Sequence, residues 1–590
     1  MLFPQTNRFR RAGDLSGIWD FRLDPQGTGE RDSWFSRMPE TGICAIAVPG
    51  SWNEQFTGDA FPGLDIHNYT GTAWYRKRFF PPLHARSGER IWLRFGAVHY
   101  RAKVWLNGTA LGEHEGGFLP FCFDVTGVLR KSERNTLVLR VDNALSPETL
   151  PPLVPELSDN YPPTMFDFFP YGGIHRPVIL YTTPPSSIED VVYETVFERN
   201  RASIGCKITC RGKDADAVRI SMRAAERSVA AEGRVREGKA DVGIAIKDFR
   251  SWSPADPFLY ECTVELLEKG RAVDEYHLPV GLRTIDVDGD SLLLNGKPIA
   301  LRGVGKHEDF PVNGKGVNLP VVVRDFSLMK WLGCNALRTV HYPYCEEVLA
   351  IADRMGFLVM EEVPAVSLSY RHLTARTAAL HRRMLRDMLY RDRNHPSVIA
   401  WCVANEPGTE EDETDPDVLS AAEKYFKGIC DYTRRLDSSR PVTLASCRKY
   451  DDRILRHCDI VAKNKYTGWY SLPGRPGQAC RQATRDLEAL HRKLGKPVLV
   501  SEFGAGAIAG MHADPPQMFS EEYQADLLEE YIRMLENLPF VIGGFIWALA
   551  DFAAPQKHTR VMGNRKGVFT RDRRPKMAAH RVRKLWNPEK

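Results

Sequence analysis

The pattern of apolar and polar positions divides the chain into three stretches with different periods. Up to about Thr183 the apolar residues come in short, strand-length runs: Ile91 to Phe95, Lys103 to Leu106 and Thr136 to Val141. Turn signals separate them, among them Asn107-Gly108, a strong hairpin dipeptide. No helical period interrupts them, which predicts an antiparallel sandwich of jelly-roll type over residues 1–183. The breaker cluster Thr182-Thr183-Pro184-Pro185 marks a boundary. Residues 184–283 hold a second series of short strands, including Ala217 to Met222 and Leu259 to Leu267, and predict an immunoglobulin-like sandwich that acts as a spacer.

After Asn295-Gly296 the period changes to strand–helix alternation. Eight apolar runs qualify as strands: Ala300 to Val304, Asn335 to Arg338, Phe357 to Glu361, Ser397 to Ala404, Val442 to Ala445, Ile460 to Ala462, Val498 to Val500 and Gly544 to Trp547. Amphipathic helices lie between most of them. One carries Leu380, Met384, Leu385, Met388 and Leu389 on a single face. Another opens at the N-cap Ser520 and stripes Leu527, Leu528, Tyr531, Met534 and Leu535. Eight such units over residues 284–590 predict a closed TIM barrel.

The richest of these strands is Ser397 to Ala404, an unbroken apolar run that stops at Asn405-Glu406-Pro407. Val498 to Val500 repeats the pattern and stops at Ser501-Glu502-Phe503-Gly504. A glutamate that ends one buried parallel strand commonly caps a loop. Two that end strands four and seven of one barrel face the same rim, where such barrels hold their chemistry. Tyr466, Trp469, Tyr470 and Trp547 crowd that rim, and their apolar faces with polar tips suit sugar rings. Paired carboxylates in such a setting point to glycoside hydrolysis, with one acid protonated and the other ionised.

Composition narrows the classes. At 590 residues two to four domains are expected, and a net charge of +5 gives no case for a nucleic-acid surface. No apolar stretch is long enough for a membrane span, and the first residues lack the apolar core of a signal peptide, so a cytoplasmic location is expected. The twelve cysteines are scattered, and Cys206 and Cys210 read as strand residues rather than a zinc pair. The triplets at Asn68 and Asn107 are then chance sequons. His307-Glu308-Asp309 alternates faces on a strand and reads as structural. Neither metal nor cofactor is expected.

Longer motifs carry a resemblance across essentially the whole chain. They are R-D-R-N-H-P-S-V-I-A-W-C-V-A-N-E-P ending around Glu406, S-E-F-G at Glu502, N-K-Y-T-G-W-Y from Asn464, I-W-A-L-A-D-F from Ile546 and G-N-R-K-G-V-F-T-R-D-R-R-P-K from Gly563. On these the chain resembles glycoside hydrolase family 2, and within it the members that cleave β-glucuronides. The resemblance implies Glu406 as acid/base and Glu502 as nucleophile, with net retention. It implies that Asn405 holds the sugar 2-hydroxyl and that Asn564 and Lys566 hold the C6 carboxylate. Asp167, His341, Tyr466, Tyr470, Trp547 and Arg560 would line the pocket, and Asn464 would stand beside the nucleophile. Asp167 sits in an aromatic, glycine-rich loop, Thr164 to Arg176, that serves either as a hydrophobic plug or as a lender of that carboxylate to the neighbouring domain.

The resemblance further implies a homo-oligomer, dimer or tetramer, acting on small-molecule or oligosaccharide glucuronides. The connection from Val363 to Leu380 is short where relatives from gut bacteria carry a long loop, so an open mouth is expected. The alternatives are another family 2 glycosidase, such as a β-galacturonidase or β-galactosidase, and a carbohydrate-binding protein without activity. Intact Glu406 and Glu502 speak against the last, and the galactosidases have no need of Lys566.

Overall fold

The protein is described by a computed structural model covering residues 2–224, 227–409, 411–448 and 452–587. The outermost limits of the expected domains, Met1 and Lys590, fall outside them.

The first unit packs a six-stranded antiparallel sheet against a four-stranded one. Their inner faces bury Trp19, Phe21, Tyr75, Phe95, Val104 and Leu139, contributed by alternate positions along each strand. Asn107 and Gly108 adopt φ of 54° and 81° in the tight turn between Arg101–Leu106 and Thr109–Glu115. That is the conformation for which the Asn-Gly pair is selected. The second unit pairs a three-stranded sheet with a four-stranded one around Val218, Ile220, Val264 and Leu266. Cys206 and Cys210 belong to this core on strand Arg201–Arg211, buried as free thiols.

The third unit is a closed barrel of eight parallel strands. In order they are Leu301–Lys306, Ala336–Thr339, Leu358–Glu362, Val398–Asn405, Val442–Ser446, Val461–Asn464, Val498–Phe503 and Val541–Trp547. Every residue of the fourth strand is buried, as a strand sandwiched between barrel lumen and outer helices requires. The third strand lies one residue later than its apolar run suggested. The shift matters, because Glu361 faces outward to Arg391 and Glu362 faces Arg338. Ser520 caps its helix through Oγ, which accepts from Tyr523 N at 3.2 Å. Leu527, Leu528, Tyr531 and Leu535 of that helix are buried. A hairpin before the first barrel strand, Ile285–Asp288 with Ser291–Leu294, closes the barrel floor, burying Ile285, Leu292 and Leu294 against Leu301, Met360 and Phe545. The rim at the other end is therefore the mouth at which the strand ends can meet a ligand.

The loop 164–176 does both things the sequence suggested. Phe166, Phe168 and Phe169 are buried, and Phe168 packs on His307 and Tyr342 of the barrel. Between these anchors Asp167 reaches the barrel mouth. Neighbouring ion pairs clamp the same seam. Arg176 holds Glu308 at 3.2 Å, and Arg571, which pairs with Asp309 within the barrel, reaches across to Glu54 at 2.8 Å, while Tyr171 OH donates to Asp309 at 3.3 Å. His307, Glu308 and Asp309 are thus spent on the contact between units, and no metal-binding group of side chains exists among the described residues.

Candidate active site

Glu406 follows the last residue of the fourth strand and Glu502 lies near the end of the seventh. Glu406 takes a left-handed backbone, φ 46°, held by its N–H donating to the Ala445 carbonyl at 2.8 Å. A non-glycine residue in that region costs of order 1–3 kcal/mol and persists where the surroundings fix it. Here the fifth strand and Asn464 do the fixing.

Asn464 is the hinge of the arrangement. It pairs in register with Glu502 across strands six and seven. Its Oδ1 accepts from Ser501 Oγ at 2.7 Å, which orients the amide so that Nδ2 donates to Glu406 Oε1 at 2.7 Å and to Asn405 Oδ1 at 3.1 Å. Asn405 Oδ1 also accepts from Arg338 Nη2 at 2.8 Å. With its oxygen so committed, the Asn405 side chain presents its NH2 group as the group available to a ligand hydroxyl.

Arg338 and Glu362 were not anticipated from the sequence. Arg338 ends up fully buried at the barrel centre, donating to Glu362 Oε2 at 2.9 Å, Glu502 Oε1 at 2.7 Å and the Ser501 carbonyl at 3.1 Å. The one available signal was position: Arg338 and Glu362 are charged residues near the C-terminal ends of fully buried barrel strands. Glu362 also faces His341 Nδ1 at 3.1 Å, and His341 Nε2 lies 3.8 Å from Glu502. Burial holds the imidazole neutral, so Nδ1–H donates to Glu362 and Nε2 is left as an acceptor. His341 stacks on Trp547, centroids 5.1 Å apart and 13° between planes.

Burial pushes both candidate carboxyls upward, Glu502 to about 8, with Arg338 opposing the shift in each. Desolvation alone would therefore place a shared proton on Glu502. The bonding pattern argues the reverse. Glu502 receives a charge-assisted bond from a guanidinium that has no lone pair, plus one from Tyr466 OH at 2.7 Å. Glu406 receives only the neutral Asn464 amide and sits farther from a compensating charge. Two carboxylates in one dry pocket cannot both ionise freely, and this bonding favours the charge on Glu502 and the proton on Glu406.

The opposite wall is built from the first unit and the loop after strand eight. Asp167 accepts from Arg560 Nε at 2.7 and 2.9 Å and from Asn564 Nδ2 at 2.6 Å. Arg560 and Lys566 both donate to Tyr470 OH at 2.8 Å. Lys566 is buried, its Nζ lying 4.8–5.6 Å from the ring centres of Tyr466, Trp469 and Tyr470. Among the described residues no carboxylate pairs with it. A buried ammonium ordinarily has a counter-ion, so this one is poised for an anion supplied from outside. Its loop is pinned by Gln524 Nε2, which donates to the Lys566 and Gly567 carbonyls at 3.3 and 3.1 Å, and by Ala548 N donating to the Lys566 carbonyl at 2.9 Å. Gly567 permits this: a Cβ there would meet Asp551 N at 2.1 Å. The catalytic and sugar-binding candidates singled out from the sequence thus form one continuous set of contacts around the mouth.

Comparison with known proteins agrees with this architecture. Residues 12–184, 186–283 and 285–590 match, in turn, the sugar binding domain of glycosyl hydrolases family 2, the domain described simply as glycosyl hydrolases family 2, and that family's TIM barrel domain. The chain belongs to glycoside hydrolase family 2. This family 2 glycosidase is 39% identical to a β-glucuronidase of Paenibacillus borealis, over 99% of this chain and 98% of that one. It is 37% identical to the human β-glucuronidase, over 99% and 92%. Among solved structures it superposes on a Bifidobacterium dentium β-glucuronidase complexed with coumarin-3-O-glucuronide with a TM-score of 0.91, at 37% identity over 99% and 98% of the chains. A β-glucuronidase from an uncultured Clostridium gives 0.90 at 36% identity over the full length of both.

Proposed function

We propose that this family 2 glycosidase is a retaining exo-β-glucuronidase. The observation that carries the reading is Lys566, a buried cation without a carboxylate partner among the described residues, set across the pocket from the Glu406 and Glu502 pair. The names of the similar proteins support it. Asn564, Arg560 and Tyr470 join Lys566 in receiving the C6 carboxylate, while Asp167 orients Arg560 and Asn564 and accepts from a sugar hydroxyl. Asn405 donates to the 2-hydroxyl. His341 and Trp547 form the floor beneath the ring.

In the first step Glu502, held ionised by Arg338, attacks the anomeric carbon as the glycosidic bond breaks. Glu406 gives its proton to the departing oxygen. The resulting glycosyl ester on Glu502 is then attacked by water, whose proton passes to Glu406 as Glu502 leaves, restoring both groups and the starting anomeric configuration. Each donor to Glu502 also stabilises it as leaving group in this second step.

The test is a panel of 4-nitrophenyl β-glucuronide, β-galacturonide and β-galactoside, with proton NMR of the first-formed anomer. Glu502→Ala abolishes turnover. Lys566→Ala lowers glucuronide kcat/KM by ~10²–10³, the value of a buried charge partner at several kcal/mol. Equal glucuronide activity in that variant removes the uronic-acid assignment, and a first-formed α-anomer removes retention.

The connection from Glu362 to the helix starting at Ala375 tucks Val363, Ala365, Val366 and Leu368 into the core, with Ser367 N donating to the Asn405 carbonyl at 2.9 Å. A loop so folded down supports the open mouth. Large aryl or oligosaccharide glucuronides are expected to turn over as well as the nitrophenyl substrate, and poor turnover of the large ones counts against it. A cytoplasmic location and a dimer or tetramer complete the proposal. Cell fractionation and light scattering on a sizing column test them.

A further inference from the structure

Two motif residues have no part in the proposed reaction and yet are deeply buried beside the site. Asp551 stands in I-W-A-L-A-D-F, just beyond strand eight, and Lys576 closes G-N-R-K-G-V-F-T-R-D-R-R-P-K, immediately before the helix Met577–Trp586. They meet against the loop that carries Lys566. Lys576 Nζ lies 2.8 Å from Asp551 Oδ1, with 0% and 2% of the two side chains exposed.

The bonds of this pair fall on both sides of Lys566. Lys576 Nζ donates to the Arg565 carbonyl at 3.1 Å, and Asp551 Oδ1 accepts from Gly567 N at 3.0 Å. The remaining donor of the ammonium goes to the Ala507 carbonyl at 2.7 Å, in the loop after strand seven. Ala507 N in turn donates to the Arg565 carbonyl at 2.9 Å. All three donors of Lys576 are thus used. One ammonium joins the loop that follows Glu502, the exit of strand eight and the peptide just before Lys566.

A buried ion pair of this kind is weak evidence for a gain in stability, because desolvation of both charges offsets their attraction. What it supplies is placement. The Lys566 ammonium sits at the end of a long side chain, and the peptide groups around its Cα are the fixed end. A shift of ~1 Å at that end carries over to the ammonium, and a charge so displaced holds a carboxylate less well. Among the described residues neither Lys576 nor Asp551 bonds to Glu406, Glu502 or the Lys566 ammonium. The pair therefore acts on the anion-binding wall through the backbone alone.

We propose that Lys576 and Asp551 are positioning residues for uronate recognition. They fix the peptide on either side of Lys566, and so set how much more tightly the enzyme holds a sugar with a C6 carboxylate than one with a C6 hydroxymethyl group. This deepens the reading of the site as a glucuronidase and rests on it.

The experiment measures, by calorimetry, dissociation constants for two iminosugars that differ only at C6: isofagomine and its C6-carboxylate counterpart. Each is titrated into the wild type, Lys576→Met and Asp551→Asn. The wild type is expected to bind the carboxylate compound at least ~10²-fold tighter than isofagomine. Lys576→Met is expected to narrow that preference at least about tenfold, by weakening the carboxylate compound while isofagomine stays within about twofold. Asp551→Asn keeps an acceptor for Gly567 N and loses the attraction to Lys576. It is expected to narrow the preference about threefold, and it decides the matter if Lys576→Met gives no soluble protein. A dissociation constant refers to the folded fraction, so a purely structural pair would lower the yield or the melting temperature and leave both constants unmoved. A preference kept in full by Lys576→Met, or by Asp551→Asn where only that variant folds, overturns the inference, as do two constants that rise together. Either result leaves the glucuronidase reading standing. A wild type that binds the two compounds equally and leaves 4-nitrophenyl β-glucuronide uncleaved overturns the glucuronidase reading, and this inference with it.

Discussion

Arg338 offers the sharpest test of how Glu502, the proposed nucleophile, is kept ionised. Its guanidinium is fully buried and lies between two buried carboxylates, 2.7 Å from Glu502 and 2.9 Å from Glu362. Opposite charges with centres ~4 Å apart attract by ~4 kcal/mol at an effective dielectric of about 20. That energy corresponds to ~3 pKa units on the carboxylate that loses its partner. Replacing Arg338 by Gln keeps a donor near Glu502 and removes the charge. The folded-state pKa of Glu502 then rises, and the enzyme loses activity as pH falls through the new, higher value.

The expected result is a kcat/KM on 4-nitrophenyl β-glucuronide that drops by ~10²–10³ at pH 6.5–7 and recovers as pH rises, because free-enzyme ionisations govern kcat/KM. The companion change runs the other way. Glu362 is pushed up to about 7 by burial, and whatever negative charge it carries raises Glu502. Glu362→Gln removes that charge and keeps one acceptor, for Arg338, while its NH2 group meets His341 Nδ1 in the other imidazole tautomer, so the acid limb moves to lower pH. A uniform loss of rate in Arg338→Gln with an unmoved pH profile would refute the electrostatic argument and leave Arg338 as a spacer. An acid limb that moves upward in Glu362→Gln would refute it too.

Two further changes test the frame around the site. Lys315 is buried among Phe118, Phe168 and Tyr342, 3.6 Å from the last ring centre, at the seam between the first unit and the barrel, and burial lowers it to about 7. Its folded pKa lies below its unfolded one, so the unfolded chain binds the extra proton and wild-type stability rises with pH between about 7 and 10. Lys315→Met removes that dependence and is expected to raise the unfolding free energy obtained from urea titration at pH 7, by up to ~4 kcal/mol, and to leave it nearly unchanged at pH 10; parallel curves for the two proteins would contradict this. Gly567→Ala places a methyl against the Asp551, Ala550 and Phe569 backbones, 2.1–2.5 Å away, and must displace the loop holding Lys566. It is expected to cut glucuronide kcat/KM by ~10²-fold with the far-UV circular dichroism preserved. Unchanged kinetics would show that Lys566 tolerates the shift.

Most of the barrel was legible because a closed parallel sheet imposes a simple pattern. Strands buried on both faces must be continuously apolar, and Val398 to Ala404 is. Where the chain leaves that rule, at Glu406 and Glu502, the departure marks the rim. Arg338 and Glu362 broke the same rule and went unread. A lone charge at a strand end gains its meaning only from the partners opposite, and those sit on strands far apart in sequence. Glu361 and Glu362 show the difficulty most plainly: two identical adjacent residues point to opposite sides, one to Arg391 outside and one to Arg338 within, and a one-residue error in the strand exchanges them. Asp167 lay beyond periodicity altogether. Its role depends on a loop of the first unit crossing to the third.

That crossing explains why a barrel enzyme needs a sandwich that has no catalytic group of its own. Arg560 and Asn564 belong to the barrel, yet both are held by Asp167. Asp167 is in turn fixed by Phe166 and Phe168, buried against the barrel surface, and by the Arg176–Glu308 pair near the same seam. The anion-binding wall is therefore an interface between units, and the carboxylate pair is a property of the barrel alone. Disturbing the seam should weaken sugar binding before it touches the acid–base chemistry. A substitution such as Asp167→Asn, which leaves every barrel residue in place, is thus expected to raise KM far more than it lowers kcat, whereas loss of Arg338 acts chiefly on kcat. The two kinetic signatures separate what the first unit contributes from what the barrel contributes.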